Sequence, residues 1–345
     1  MGETSIEWTD VTWNPMRGCS PVGPECENCY AAELAARFAD DGLAFAGLAR
    51  RSGRRRLPQW TGRTTLVPGR LGLPLQWKRP RRIFVTSVSD PFHDGFTNEE
   101  IGALFGVMAA SPQHTFQLLT KRPRRAREWF RWIGRAGQQA LDRVACFADD
   151  LLSGVLPTAG RVEVLAPGRG ASQWPLPNVH FVVSAGTQAS ADQLVPELLE
   201  IPAAVRGVSC EPLLEPVNLL GHMMSSRNPG DCANCGKGHG FTRCPNYGGV
   251  AKTSDEHRCA SFRRVQGMGI DWVIVGGESG PRARPFGIGW ARDIIGQCRK
   301  AGVPVFVKQM GARPVDAAGP VRLRDRKGGD IDEWPEDLRV REYPR

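Results

Sequence analysis

The chain of 345 residues contains no run of about 18 apolar residues, so no segment reads as a membrane-spanning helix. Its opening, Met1 to Asp10, is polar and acidic and lacks the apolar stretch of a secretory signal, which makes the cytoplasm the expected compartment. No internal repeat of fixed period recurs, which argues against a solenoid or propeller. Apolar residues are not scarce: 41% hydrophobic and 23% charged is an ordinary folded composition and excludes a wholly disordered chain. The length fits about two domains, or one large α/β barrel.

Acidic residues are outnumbered, 36 against 45 Lys and Arg, for a net charge of +9. The excess is local. It falls in Arg50, Arg51 and Arg54 to Arg56, in Lys78, Arg79, Arg81 and Arg82, and in Lys121, Arg122, Arg124, Arg125 and Arg127. Clustered positive charge favours a phosphate-rich partner such as DNA or RNA, or forms a solvated surface.

Seven apolar segments read as strands. They are centred on Val11–Trp13, Ile83–Asp90, Thr115–Lys121, His180–Ser184, Val205–Glu211, Asp271–Glu278 and Pro304–Gln309. Continuous Val, Ile, Leu and Phe runs suit strands buried on both faces. Helical patterns lie between them. Thr97 to Glu100 has the form of a capping box, Arg124–Ile133 and Ala189–Leu199 follow, and Ile288–Ala301 stops at Gly302. Alternation of this kind predicts an α/β fold with a full or partial TIM-like (β/α) barrel.

The expected body is 1–220 with 270–311. A Cys-rich module is inserted at 221–269, and a tail at 312–345 is pinned by Trp334 and Tyr343. Gly47 to Gly72, rich in Arg, Gly and Pro, reads as a long loop or lid. Barrel enzymes carry their chemistry at the C-terminal ends of the strands. Those ends hold Cys19, Ser89 and Asp90, Lys121, Ser184, Glu211, Glu278, and Lys308 with Gln309. Glu211 and Glu278 face two readings, a catalytic carboxylate or one paired with Arg206, Arg282 or Arg284. Lys121 is either an anion contact or part of a helix-capping basic patch.

Ten cysteines in a reducing compartment are thiols or metal ligands. Cys146, Cys210 and Cys298 are isolated and read as small buried residues. The others form Cys19-x6-Cys26-x2-Cys29 and Cys232-x2-Cys235-x8-Cys244-x14-Cys259. The four-cysteine set fits a closed tetrahedral structural zinc site, an auxiliary iron–sulfur cluster, or unligated thiols, with His239 or His257 able to replace one ligand. The three-cysteine set fits a 4Fe–4S cluster with one open iron, or a zinc site completed by His93 or a carboxylate.

The segment from Trp13-Asn14-Pro15 through Gly18-Cys19 to Cys26-x2-Cys29-Tyr30-Ala31 resembles the first strand, loop and helix of radical S-adenosylmethionine enzymes. It is most similar to a phage-associated branch of radical-SAM-like proteins of unknown function. The likeness continues through Ser87 to His93, Leu118 to Pro123, Ser209 to Leu213, Gly276 to Gly280, Ala283 to Pro285 and Phe306 to Gln309. It implies a radical-SAM type of barrel in which Cys19, Cys26 and Cys29 bind a 4Fe–4S cluster. S-adenosylmethionine would chelate the open iron, and an external electron donor would drive formation of a 5′-deoxyadenosyl radical.

Three departures stand out. The first gap is x6 rather than x3, Asn28 precedes the third cysteine with the aromatic one place later at Tyr30, and Gly276-Gly277-Glu278 sits at the sixth strand rather than the second. Ser87, Ser89 and Asp90, at the second strand end, are therefore the expected grip on the cofactor ammonium. Ser184, Gly276 and Gly277 are further cofactor contacts, while Lys121, Glu211 and Glu278 are the catalytic candidates. Three functions follow. The first is radical chemistry on nucleic acid, in modification or repair. The second is radical chemistry on a small molecule or peptide. The third is non-catalytic, zinc-dependent nucleic-acid binding.

Overall fold

The computed structural model describes residues 4, 6–53, 57–134, 138–153, 173–223 and 269–344. Cys232, Cys235, Cys244 and Cys259, and with them the expected zinc site, lie outside the described residues.

Seven parallel strands form one sheet in strict chain order. They are β1 (Val11–Trp13), β2 (Arg82–Val85), β3 (Thr115–Thr120), β4 (Val179–Ser184), β5 (Val205–Cys210), β6 (Trp272–Gly276) and β7 (Val305–Gln309). Sequential parallel strands joined by right-handed crossovers put the helices on one face, the arrangement of a (β/α) barrel. Among the described residues no pairing joins β1 to β7, so the sheet is a half-barrel, the partial form of the expected architecture. The free edge of β7 is covered by the tail. Val307 donates to the Val340 carbonyl at 2.8 Å, and Glu342 donates to that of Val305 at 3.0 Å. A covered edge is not available for a further strand.

Alternation along each strand separates two environments. Trp13, Ile83, Val85, Phe116, Phe181, Val208, Val273 and Val305 face the main core. Packed against them are α2 (Asn98–Ala109), α3 (Pro123–Ile133), α4 (Gln138–Ser153), α5 (Gln188–Leu199) and α6 (Ile288–Ala301), numbered after the short α1 (Tyr30–Ala35). The opposite residues line the concave face, where Phe84, Val182, Ile274 and Phe306 form a second apolar cluster with Trp8 and Trp272. Tyr343 stacks on Trp272 at 5.9 Å, and Trp334 is 2% exposed, so both aromatic residues of the tail pack onto the body.

Helix signals are where the sequence put them. Thr97 and Glu100 form a reciprocal capping box on α2, and Gly302 ends α6 at φ 67°, a left-handed cap that favours glycine.

Four local expectations change. The helix expected to close the cysteine loop is a 3₁₀ turn at Pro24–Cys26 followed by α1, because Cys29 adopts an extended N-cap geometry. The loop expected at Gly47 to Gly72 contains a hairpin pairing Ala49–Ser52 with Leu57–Trp60, a strand at Thr65–Leu66 against Met16–Arg17, and a helical turn at Pro68–Leu71. The second strand stops at Val85, since Thr86 has φ 58°. The helix α4, absent from the expected set, packs along α2; a Cβ on Gly106 would stand 2.2 Å from the Val144 carbonyl oxygen, so glycine permits the close approach. The segment expected as an insertion leaves and returns at one place, where Ile270 donates to the His222 carbonyl at 3.1 Å. Among the described residues no helix is long and apolar enough to cross a membrane.

Candidate active site

A cavity of about 570 Å³ opens at the C-terminal ends of the strands. Its wall includes Cys19, Cys26 and Cys29, Ser87, Ser89 and Asp90, Lys121, Ser184, Glu211, Gly277 and Glu278. Of the expected site residues that are described, Gly276 alone is set back from this wall. A Cβ there would stand 3.3 Å from Glu211 Cγ, so the glycine leaves room for that carboxylate.

The cysteine loop leaves β1 and reaches across the strand ends to the segments that follow β4 and β6. Two locks hold it. Glu25, 6% exposed, accepts a hydrogen bond from the Gly186 amide at 3.0 Å and from Ser190 Oγ at 2.5 Å, fixing the turn before Cys26 to the start of α5. Asn28 donates to Glu278 Oε2 at 3.1 Å and to the Arg282 carbonyl at 2.9 Å, joining the loop to the segment after β6. Glu278 is in turn bound by the Arg284 amide at 2.7 Å and the Arg284 guanidinium at 2.5 Å, and Arg284 reaches Glu27 at 3.1 Å. Burial opposes ionisation of Glu278, but the hydrogen bonds from Arg284 and Asn28 outweigh it and hold the carboxyl below the usual glutamate range.

Asp90 is fully engaged. Its oxygens accept from the Phe92 amide at 3.0 Å, Thr120 Oγ1 at 2.7 Å, the Lys121 amide at 3.0 Å and Arg122 Nη1 at 3.1 Å. Arg122 also donates to Ser20, to the carbonyl at 2.8 Å and to the hydroxyl at 3.0 Å, and its Nη1 lies 3.7 Å from Cys19 Sγ. Burial, then the charge of Asp90, push the Cys19 thiol up to about 12, with Arg122 acting in the opposite direction. His93, offered above as a zinc ligand, instead pairs its Nε2 with Ser20 Oγ at 2.9 Å.

The strand ends are also occupied. Glu211 forms an ion pair with Lys308, so its partner is a lysine rather than one of the arginines considered, whereas Glu278 has Arg284 as anticipated. Ser87 donates to Asn14 Oδ1 at 3.1 Å, Ser89 to the Gly18 carbonyl at 2.6 Å, and Ser184 to the Glu211 carbonyl at 3.2 Å. Among the described residues Lys121 makes no ion pair, which leaves its ammonium the cation on the wall best able to meet an anion. Tyr30 is 53% exposed, on the cavity side, with its hydroxyl donated to the Ser87 carbonyl at 2.9 Å.

Thr86 is a β-branched residue in the left-handed region, a conformation that costs about 1–3 kcal/mol and collects at functional sites. Its amide donates to the Trp13 carbonyl at 2.8 Å, which turns the chain over the end of β1 and places Ser87 and Ser89 on the cavity wall.

Glu25, Arg122 and Thr86 carry much of this geometry and were not singled out from the sequence. Arg122 had a signal. It lies between Lys121 and a proline that starts α3, so it takes the N-cap position and its side chain stays at the strand end. Glu25 gave only its position between two motif cysteines.

The three cysteines share the cavity as free thiols, each partly exposed. Among the described residues no set of three or more His, Cys, Asp or Glu side chains is gathered tightly enough to hold a single metal ion. A cluster spreads its thiolates over separate irons and so does not need them gathered on one point. Three thiols on one cavity wall, in a loop anchored by Glu25 before Cys26 and by Asn28 before Cys29, are a donor set that fits a 4Fe–4S cluster.

A family profile described as a protein of unknown function (DUF5131) matches residues 3–334. No curated protein and no solved structure matches the chain.

Proposed function

The chain belongs to this family of unknown function, and we propose that it is a radical S-adenosylmethionine enzyme. One observation carries the reading. Cys19, Cys26 and Cys29 converge on the cavity at the C-terminal mouth of a parallel half-barrel, the end at which such sheets place their chemistry.

Cys19, Cys26 and Cys29 would hold a 4Fe–4S cluster, leaving one iron for S-adenosylmethionine. When bound, this pair supplies one-electron reductive cleavage of a sulfonium and, from it, hydrogen-atom abstraction. The chain's own residues do the rest. Glu25 and Asn28 fix the cysteine loop over the mouth. Phe84 and Leu119 form apolar wall, which keeps water from the reacting centre. Lys121 offers an uncommitted cation to a carboxylate or phosphate, and Glu211 with Lys308 provides a polar pair at the ends of β5 and β7. Asp90 already accepts four hydrogen bonds, whereas Ser87 and Ser89 only donate theirs and keep oxygen lone pairs for the cofactor ammonium.

The substrate class we propose is nucleic acid, for modification or repair. Arg50, Lys78 and Arg79 are exposed and supply phosphate contacts. An external donor would supply the electron, and the cytoplasm is the proposed compartment. Anaerobic turnover with dithionite and S-adenosylmethionine tests the reading. Release of 5′-deoxyadenosine supports it, and a folded protein that binds zinc but cleaves no S-adenosylmethionine would leave a non-catalytic nucleic-acid-binding protein. Binding to DNA or RNA that weakens about 10³–10⁵-fold between 50 and 200 mM salt supports the substrate class. Salt-independent binding would favour a small molecule or peptide.

A further inference from the structure

We infer that Arg122 sets the reduction potential of the cluster by hydrogen-bonding the Cys19 sulfur, an inference that rests on the cluster reading above. Arg122 is 11% exposed, and its two terminal nitrogens divide their work. Nη2 donates to the Ser20 carbonyl at 2.8 Å and hydroxyl at 3.0 Å, which orients the plane of the guanidinium. Nη1 then faces Cys19 Sγ at 3.7 Å while also meeting Asp90 at 3.1 Å. Holding the loop in place would require only the contacts to Ser20 and Asp90. The contact to sulfur is additional, and its electrical sense is definite.

A cluster gains negative charge on reduction, and much of that charge resides on its sulfurs. A cationic donor on a ligating sulfur favours the reduced state and raises the potential. The carboxylate of Asp90 acts in the opposite sense. It is held by four hydrogen bonds, from Phe92, Thr120, Lys121 and Arg122, and it stays in place when Arg122 is replaced. Removing the guanidinium therefore leaves the sulfur with a carboxylate nearby and no cation to oppose it, so the expected change has one sign. Asp90 and Ser20 act through Arg122 as positioning residues.

The test compares the reconstituted full chain with its Arg122→Gln and Arg122→Lys variants under anaerobic conditions. Iron and sulfide are measured first. If the unsubstituted protein lacks iron, the cluster reading fails before any potential is measured. Midpoint potentials follow by spectroscopically monitored redox titration. Arg122→Gln is expected to keep its iron and to be at least tenfold harder to reduce, equivalent to about 59 mV for one electron. Arg122→Lys, which keeps the charge but loses the planar two-nitrogen grip, is expected to fall between the two. Arg122→Gln with full iron and an unchanged potential overturns the inference. If Arg122→Gln sheds its iron, Arg122→Lys decides: a lowered potential supports the inference and an unchanged one overturns it. Loss of iron from both variants also overturns it, since the arginine would then be holding the loop rather than tuning the cluster.

Discussion

Replacing Glu25 with alanine should release the cysteine loop without unfolding the half-barrel. The carboxylate is 6% exposed and receives two donors from the start of α5, the Gly186 amide at 3.0 Å and Ser190 Oγ at 2.5 Å. Ser190 keeps the Thr187 carbonyl as an acceptor at 3.0 Å when the carboxylate is removed. The buried Gly186 amide would lose the partner it has here, and an orphaned buried donor costs about 1–3 kcal/mol. Adding the lost charge-assisted bond to Ser190 gives about 2–4 kcal/mol, spent on the contact between loop and sheet.

An opening equilibrium shifted by that amount changes by about thirtyfold or more. Amide hydrogen exchange over residues 23–29 should therefore speed up by about that factor in Glu25→Ala and by less in Glu25→Gln, which retains an acceptor oxygen. Iron loss to a chelator should accelerate in parallel. Exchange and iron loss indistinguishable from those of the unsubstituted protein would show that Glu25 does not hold the loop.

Glu278→Gln should loosen the other lock. Because its carboxyl lies below the usual glutamate range, its contribution is complete above the unfolded-state pKa and is lost as pH falls through the lower folded value, so iron retention should decline in acid and the variant should show less of that decline. His180 packs edge-on to Trp272 at 6.3 Å, and burial lowers its imidazole to about 4. The stability it supplies is whole above its unfolded value near 6.5 and falls away toward pH 4, by on the order of 3 kcal/mol, a slope that His180→Gln should flatten in denaturant titrations. Gly186→Ala should be strongly destabilising in thermal melts, since a Cβ there would stand 1.8 Å from the Pro212 carbonyl oxygen and a backbone shift is required.

The strands and the long helices other than α4 were legible because each announces itself within a few residues, through an apolar run, a capping box at Thr97 or a glycine at 302. The gathering of strand-end groups was legible too, because parallel strands in chain order carry their C-terminal ends to one side. Pairings between distant residues were not. Whether Glu211 meets an arginine or Lys308 depends on the register of β5, β6 and β7, which no local pattern encodes. Asp90 looked free as a strand-end carboxylate and is instead surrounded by donors from the turn after β3 and from its own loop. The hairpin at Ala49–Trp60 was obscured by its arginines and glycine, which read as loop chemistry although four residue pairs align in register.

The most direct measurement is the iron and acid-labile sulfide content of the protein prepared without oxygen, beside a Cys19→Ala, Cys26→Ala, Cys29→Ala triple variant. The difference between the two isolates this loop from any metal bound elsewhere in the chain. About four irons and four sulfides per chain should disappear in the triple variant. Equal contents in two folded proteins, or none in either, would contradict a cluster at the mouth of the half-barrel.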